Sequence, residues 1–435
     1  MSLSTQPYKG ARDFYPEDKR LQKFMFGKMR ETAERFGYEE YDAPILEPTD
    51  LFLVKGNQEI IDEQTYTFKD RSDRSVTIRT EMTPTVSRLV AGRRQELAYP
   101  LRWYSIPNLW RYERMQRGRL REFWQLNVDI FGVGGLEAEH EIISVADNLL
   151  KSFGATHDMY SININSRKLM DYAMHDYLGL DAVQSQTLAK LIDRIHKMSP
   201  EDFSVQVDAI LNPTQREAGI ATKVSELMAV KQLKDLPDEL KSHTAYMDMQ
   251  QLFDLLEKSH VTSAVFDITI MRGFDYYTDI VFEVFDKDPE NNRAMFGGGR
   301  YDGMVAQFGV EAVPTVGFGM GDVTLQNFLE SHGLVPQLHT ETDAYVVLVG
   351  DVYTEALPVF EKLRSMELNI AIDTSGRKPD KQIKTAVKKG IRYAIFIGEQ
   401  ELAQERFGVR DLVNGDAEVH SLERIASMIK DYRRK

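Results

Sequence analysis

Five arginines fall between Trp110 and Glu122 in WRYERMQRGRLREF: Arg111, Arg114, Arg117, Arg119 and Arg121, with Glu113 as the only acid among them. In a chain of formal net charge −13 this is a pronounced local reversal. Guanidinium forks bind phosphate and carboxylate bidentately, so such a cluster is suited to anionic ligands. Gly118 interrupts the run and marks a turn. Beyond it, strand alternation puts Arg121, Phe123, Gln125, Asn127 and Asp129 on one face and Trp124, Leu126, Val128 and Ile130 on the other. An arginine, a ring, two amides and an acid over an apolar back form a polar pocket that could clamp phosphate and stack a planar ring on Phe123. A charged hairpin facing solvent meets the same pattern.

Other segments carry weaker signals. Ile78-Arg79-Thr80-Glu81-Met82-Thr83-Pro84 offers an acid and a hydroxyl two residues apart, hence on one face of a strand; a plain edge strand ending at Pro84 is the ordinary explanation. Arg272-Gly273-Phe274-Asp275-Tyr276-Tyr277-Thr278 places two tyrosines beside an Arg-Gly turn, which ordinary strand aromatics also do. Gly297-Gly298-Gly299 and Gly317-Phe318-Gly319-Met320-Gly321 lack the spacing of phosphate or dinucleotide loops and read as turns with close backbone packing. His140-Glu141 starts a metalloprotease-like pattern, but Ser144 stands where its second histidine belongs, so no metal site from protein ligands is expected. The run Arg377 to Arg392 has seven basic residues against Asp380, a local +6. Lys381, Lys384 and Lys388 share one helical face, opposite Ile383, Ala386 and Val387. A solvated face is the ordinary explanation, and a phosphate-contacting face the functional one.

The elements that must position these residues follow from periodicity. Helices are expected at 17–36 and 136–153, strands over 98–131 and 264–285, and a mostly helical stretch at 170–260, where Ser199-Pro200-Glu201-Asp202 is a strong helix start. Residues 331–342 read as a linker. Beyond it, apolar strands at 344–350, 368–372 and 393–398 alternate with helices at 353–366 and 379–389, which implies a small three-layer α/β domain with a parallel sheet. Residues 343–435 carry sixteen basic and fifteen acidic residues, a charge of +1 that leaves −14 on the remainder. With 435 residues and no cysteine, a multidomain chain without disulfides, thiolate chemistry or cysteine metal sites is expected. No apolar run approaches a membrane span and the first residues contain no signal core, so a soluble cytoplasmic protein without membrane contact is expected.

Taken together and in order, these segments resemble the class II aminoacyl-tRNA synthetases, and among them the histidyl-tRNA synthetase family, over nearly the whole chain. KGARDFYP (9–16) is similar to that family's opening, and GYEEYDAPILEP (37–48), with Pro44, to the class II dimer motif. WRYER…GRLREF is similar to the second class II motif, the arginine-bearing hairpin over ATP. RGFDYYTD (272–279) and GGGRYDGM (297–304) are similar to the two histidine-specific signatures, and the tail to the anticodon-binding domain. The resemblance implies an α+β catalytic domain (1–169 and 261–332) with a six- or seven-stranded antiparallel sheet flanked by helices. It also implies a helical insertion domain at 170–260, a linker at 333–342 and a C-terminal α/β anticodon-binding domain at 343–435.

The implied reaction has two steps. Histidine's carboxylate attacks the α-phosphate of ATP to give histidyl-adenylate, and the histidyl group then passes to tRNA(His). By position, Glu81, Met82, Thr83, Gln125, Asp129, Tyr276 and Tyr277 belong to histidine binding, with Arg111 and Arg272 gripping the α-phosphate and substrate carboxylate as the catalytic pair. Glu113, Arg119, Arg121 and Phe123, with Arg111, position ATP. Gln116, Arg117, Lys381, Lys384 and Lys388 are expected to touch tRNA. Magnesium would enter with ATP as substrate, with no tightly bound cofactor, and the chain would form a homodimer. One position departs from the family pattern. The third class II motif ends in an arginine three residues after its final glycine, where it meets the γ-phosphate; Thr324 stands there. This keeps a second function open, that of a non-catalytic paralogue serving as a regulatory subunit of ATP phosphoribosyltransferase. Such a paralogue is expected to lose RGFDYYT and the anticodon domain, both of which this chain retains.

Overall fold

The alternating stretch after Gly118 becomes the strand Glu122–Phe131, and around it the largest sheet is assembled. The computed structural model describes residues 3–53, 64–116, 118–271, 276–291 and 293–433. The chain separates into two units: one holds Gln22–Val335 and the residues up to Asp13, the other Phe14–Leu21 and the residues from Pro336 onward.

In the first unit, nine described strands form one sheet in the order Glu39–Glu40, Leu101–Ser105, Glu122–Phe131, Thr315–Gly321, Ala294–Arg300, Ile280–Asp286, Tyr160–Ser166 and Ala264–Phe266, with Asn108–Trp110 also pairing with Glu122–Phe131. The central strands run antiparallel, as expected. The sheet is larger than six or seven strands because short edge strands, Glu39–Glu40 and Ala264–Phe266, add in parallel at its two sides, and Asn108–Trp110 adds on Glu122–Phe131. The helix Glu137–Ser152 buries Ile142, Val145, Ala146 and Leu149 on one face, as its 3.6-residue period requires. Its Glu139 receives a fork from Arg300 at 2.5 and 2.7 Å, and Arg300 also donates to the carbonyls of Val133 and Gly135 at 3.1 Å each. Both charged groups are buried, so this pair ties the helix to the strand Ala294–Arg300. Residues 170–260 are largely helical. The Ser199 hydroxyl accepts the Asp202 N–H at 3.0 Å ahead of Pro200–Ile210, a cap worth about 1 kcal/mol.

Two expectations fail here for stated reasons. The glycine-rich segments are strands, Ala294–Arg300 and Thr315–Gly321, and not turns. Their glycines serve side-chain crowding from neighbouring strands. The Glu81–Pro84 segment is not a strand either: the strand stops at Ile78, and Pro84 sits in the first turn of a helix, Thr83–Gly92, whose early positions need no backbone donor.

The second unit has a five-stranded sheet, Ile370–Ile372, Ala344–Val349, Tyr393–Gly398, Phe407–Asp411 and Ala417–His420 in that order. The first three strands are parallel as expected, but the last two add antiparallel and make the sheet mixed. The helix Pro379–Lys388 buries Gln382 and Ala386, with Ile383 partly covered, and leaves Lys381, Lys384 and Lys388 exposed. Val387, expected on the inner face, points outward at 56% exposure, because the buried stripe follows 382 and 386. Gln382 instead bridges inward, pairing with the backbone of Leu348 at 2.9 and 3.0 Å.

Candidate active site

The pocket begins with missing side chains. In the antiparallel register Gly317 lies opposite Asp129, Gly319 opposite Asn127 and Gly321 opposite Gln125. A Cβ on Gly317 would collide with the Asp129 carboxylate, and one on Gly319 would stand 2.6 Å from Gln125 Nε2. On the next strand, a Cβ on Gly299 would stand 3.1 Å from the Tyr277 ring. Glycine therefore runs across two strands wherever a functional side chain of a neighbour needs the space. The result is a polar floor sunk into an otherwise packed sheet.

Two carboxyls lie in this floor. Glu81 and Asp129 are buried, at 6% and 5% exposure. Burial pushes Glu81 up to about 7, although the Arg111 charge and the Tyr276 hydroxyl both pull it down. Burial likewise pushes Asp129 up to about 7 against the opposing hydrogen bond from Tyr301. Holding a carboxyl that far above its ordinary value costs the folded state about 3–4 kcal/mol at neutral pH. A cost of that size at two neighbouring positions marks a site awaiting cationic or N–H-donating groups of a ligand.

Three tyrosines wall the floor. The Tyr276 hydroxyl donates to Glu81 Oε2 and reaches Thr83 Oγ1, each at 3.3 Å, so the turn into the helix Thr83–Gly92 brings acid and hydroxyl to one donor. The Tyr301 hydroxyl makes a short hydrogen bond to Asp129. Ring centroids of Tyr276 lie 5.0 Å from Tyr277 and 5.7 Å from Tyr301. Tyr301 is a site residue that sequence reasoning misses, although it sits inside GGGRYDGM; the available signal is the strand period that carries it past Arg300. Met82 is buried at 1% exposure between Glu81 and Thr83 in sequence, and its carbonyl accepts Val86 N–H at 2.8 Å at the start of the helix Thr83–Gly92.

Arg111, Arg119 and Arg121 gather in the segment just before the strand Glu122–Phe131. Arg111 Nε donates to the Thr80 carbonyl at 3.0 Å, its guanidinium lies 5.4 Å from the Phe123 ring centre, and its Nη1 is 4.0 Å from Glu113. Arg119 approaches Glu113 at 3.5 Å, so one acid spaces two cations. Arg121 stacks on Tyr112 at 3.8 Å. The loop between them turns at Gly118, φ +79°, with Gln116 bridged to Arg119. Phe123 and Gln125 follow, both half-buried. Thr324 lies beneath this tip: its methyl would stand 3.4 Å from a Cβ on Gly118, and its hydroxyl donates to the carbonyls of Met295 and Gly321 at 2.9 and 3.0 Å. Arg272 and Arg117 lie outside the described residues. Lys381, Lys384 and Lys388 belong to the second unit.

Comparison with known proteins gives the same pattern a context. Residues 10–323 match the family model for histidyl-tRNA synthetase, and residues 343–432 match that for an anticodon binding domain. A curated histidine–tRNA ligase of Leptospira biflexa is 38% identical over 433 residues, 99% of this chain and 98% of its own length. That of Thermoplasma volcanium is 37% identical over 421 residues, 97% of each chain. Among solved structures, histidyl-tRNA synthetase from Nostoc sp. PCC 7120 aligns over all of both chains with a TM-score of 0.83 at 21% identity. A Bacillus halodurans structure described as an ATP phosphoribosyltransferase regulatory subunit/histidyl-tRNA synthetase aligns over 92% of this chain and 100% of its own, with a TM-score of 0.75 at 22% identity. At those identities the structural likenesses establish the fold alone.

The floor makes a direct electrostatic prediction. The Tyr301 hydroxyl favours the ionised form of Asp129, so Tyr301→Phe should move that carboxyl's titration to higher pH while leaving Glu81 near 7. Carboxyl carbon NMR titration of the ligand-free protein reads both midpoints. An Asp129 midpoint that stays put or falls in the variant contradicts the proposed balance of burial against the hydrogen bond.

Proposed function

The chain belongs to the histidyl-tRNA synthetase family, and from that premise we propose how its residues divide the work. The protein is an ATP-dependent histidine–tRNA ligase: it activates histidine as histidyl-adenylate and transfers the histidyl group to tRNA(His). The observation that carries the assignment of the pocket is the pair of buried carboxyls together with the arginine cluster that precedes the strand Glu122–Phe131. Glu81, Thr83 and Gln125 receive the substrate α-ammonium. Asp129, held by Tyr301, accepts an imidazole N–H, and Tyr277 closes the ring's other side. Both buried carboxyls then gain a further N–H donor that offsets their desolvation.

The attack itself needs no strong base, because histidine's carboxylate is already ionised. It needs in-line placement and compensation of charge that grows on the α-phosphate. Arg111 is proposed to supply that compensation, with Arg272 joining it. Phe123 stacks the adenine, and Glu113 spaces Arg111 and Arg119 so that their forks face outward. Magnesium arrives with ATP as part of the substrate. Among the described residues no group of three or more His, Cys, Asp or Glu could hold a metal ion. Thr324 cannot offer a charge to the γ-phosphate; its hydroxyl is spent on two backbone carbonyls. The regulatory-paralogue alternative finds no favour in a pocket that keeps both carboxyls and a tail that matches an anticodon domain. Residues 170–260 are proposed as an insertion domain and 333–342 as the linker to the anticodon-binding domain at 343–435. No helix among the described residues is long and apolar enough to cross a membrane.

An ATP–pyrophosphate exchange assay with all twenty amino acids tests the assignment. Exchange should depend on histidine, and Asp129→Asn should raise the histidine KM by roughly tenfold or more while leaving the ATP KM near wild type. Exchange with no amino acid, or an Asp129→Asn enzyme with the wild-type histidine KM, would count against the enzyme or the pocket respectively.

A homodimer is proposed from the segment around GYEEYDAPILEP. Ile45, Leu46, Leu53 and Phe68 are 42–54% exposed there, more apolar surface than one short segment ordinarily leaves to water. Sedimentation velocity at micromolar concentration should give twice the chain mass, and a species of 50.0 kDa would refute it.

The exposed lysines of Pro379–Lys388 are proposed to meet the tRNA backbone as point charges. Arg377 and Arg392 are already engaged, by Asp373 at 2.6 Å and Asp411 at 2.7 Å, whereas Lys381, Lys384 and Lys388 are exposed, as are Lys378 and Lys389 at the two ends of the helix. Changing all three to Ala should weaken tRNA binding and reduce its log–log salt slope by about 0.7–0.9 for each phosphate no longer neutralised. Full affinity with an unchanged slope would make this face an ordinary solvated surface.

A further inference from the structure

Arg121 is gripped by a segment far from it in sequence. The Gly10 carbonyl accepts two backbone donors, Arg121 N–H at 2.9 Å and Glu122 N–H at 3.1 Å. Gly10 has φ +89°, a conformation that favours glycine. A Cβ there would lie 2.7 Å from Arg121 Cγ and 2.8 Å from its Cβ and Cδ, so the arginine stem lies flat on a position where only hydrogen fits. Tyr8 takes the other end: its hydroxyl accepts Arg121 Nη1 at 3.2 Å, and its ring centre is 5.9 Å from the guanidinium carbon. Downstream, Arg12 pairs with buried Asp322 at 2.7 Å, and Asp322 also accepts the Trp124 N–H at 2.9 Å. The segment is thus pinned on both sides of Gly10 to Arg121 and to the strand after it, which carries Phe123 and Gln125.

We infer that Tyr8–Arg12 is a positioning strap for Arg121, with Gly10 setting the path of its stem and Tyr8 the direction of its guanidinium. A long side chain with several rotatable bonds loses much freedom when it is held in one geometry. An arginine that must meet a substrate anion gains if that freedom is removed before binding. The adjacent backbone bonds hold Arg121's main chain, the missing Cβ lets its stem settle, and Tyr8 and Tyr112 hold its two faces. Gly10 and Tyr8 are positioning residues; they act on ATP through Arg121. This inference rests on the proposed placement of Arg121 at ATP.

The test is histidine-dependent ATP–pyrophosphate exchange by four variants: Arg121→Ala, Gly10→Ala, both together, and Tyr8→Phe. Arg121→Ala should raise the ATP KM with little effect on the histidine KM. Gly10→Ala should raise the ATP KM by roughly tenfold or more, with the histidine KM within about twofold of wild type. In the Arg121→Ala background the same change should raise the ATP KM little further, because the guanidinium it misdirects is gone. Tyr8→Phe, which keeps the strap's path, should raise the ATP KM by about two- to threefold. The strap is overturned if Gly10→Ala raises both KM values alike, or if its effect persists undiminished without Arg121. Should Gly10→Ala fail to fold, a Tyr8→Phe enzyme with the wild-type ATP KM overturns it instead. An Arg121→Ala enzyme with an unchanged ATP KM overturns the ATP placement itself, and the strap with it; additive effects overturn the strap alone.

Discussion

A polar side chain can enter the face of a packed sheet only if the neighbouring strand gives up its own side chains. That steric constraint governs this protein's site. Gly317 and Gly319 yield room to Asp129 and Gln125, and Gly299 yields room to Tyr277. Everything else in the pocket presupposes the opening. Without it, Asp129 could not lie beside Tyr301, and the alternation that brings Phe123 and Gln125 to the same face would end in a crowded surface. The glycines also explain why the adjoining helix is fastened so firmly. Strands poor in side chains pack weakly on their own, and the buried fork from Arg300 to Glu139 supplies a directional tie where apolar bulk is missing.

The opening has two electrostatic halves. The floor holds two carboxyls that burial keeps near 7, and the rim holds arginines whose mutual repulsion Glu113 and the rings moderate. Each half is incomplete alone. The ligands proposed above suit both halves: an ammonium and a ring N–H for the buried carboxyls, phosphates for the arginines. Because the ionised amino-acid carboxylate is the nucleophile, the protein's contribution is placement and charge compensation, and rigid residues serve that better than mobile ones. The backing of Arg121 by Gly10 and Tyr8 and of Arg111 by the Thr80 carbonyl and Phe123 belongs to this logic.

Several misreadings share a cause. Glycine clusters at 297–299 and 317–321 read as turns because local preference treats glycine as a breaker, whereas here it answers to atoms on other strands. Thr83-Pro84 reads as a strand end because Pro cannot donate to a ladder, yet the same missing donor suits a helix start. The last two strands of the second unit escape a reading by apolar runs, although Asn414-Gly415, with Gly415 at φ +87°, is a strong hairpin signal between them. The strand Glu122–Phe131 was legible, since its sequence alternates polar and apolar side chains, although both of its faces are buried from Leu126 onward.

What the sequence determined by itself was therefore whatever depends on spacing along the chain: the amphipathic helices, the polar face from Arg121 to Asp129, the Gly118 turn, the cap at Ser199, the parallel start of the C-terminal sheet, and the motifs whose order resembles one family. What only the tertiary structure decided was which distant groups meet. Tyr301 finds Asp129 across 172 positions, Tyr276 finds Glu81 across 195, and Gly10 lies under Arg121 across 111. Such pairings depend on strand order and register, which follow from burying the whole sheet at once and leave no periodic trace in either partner's neighbourhood. The raised carboxyls belong to the same category, because burial is a property of the assembled pocket and not of the residue.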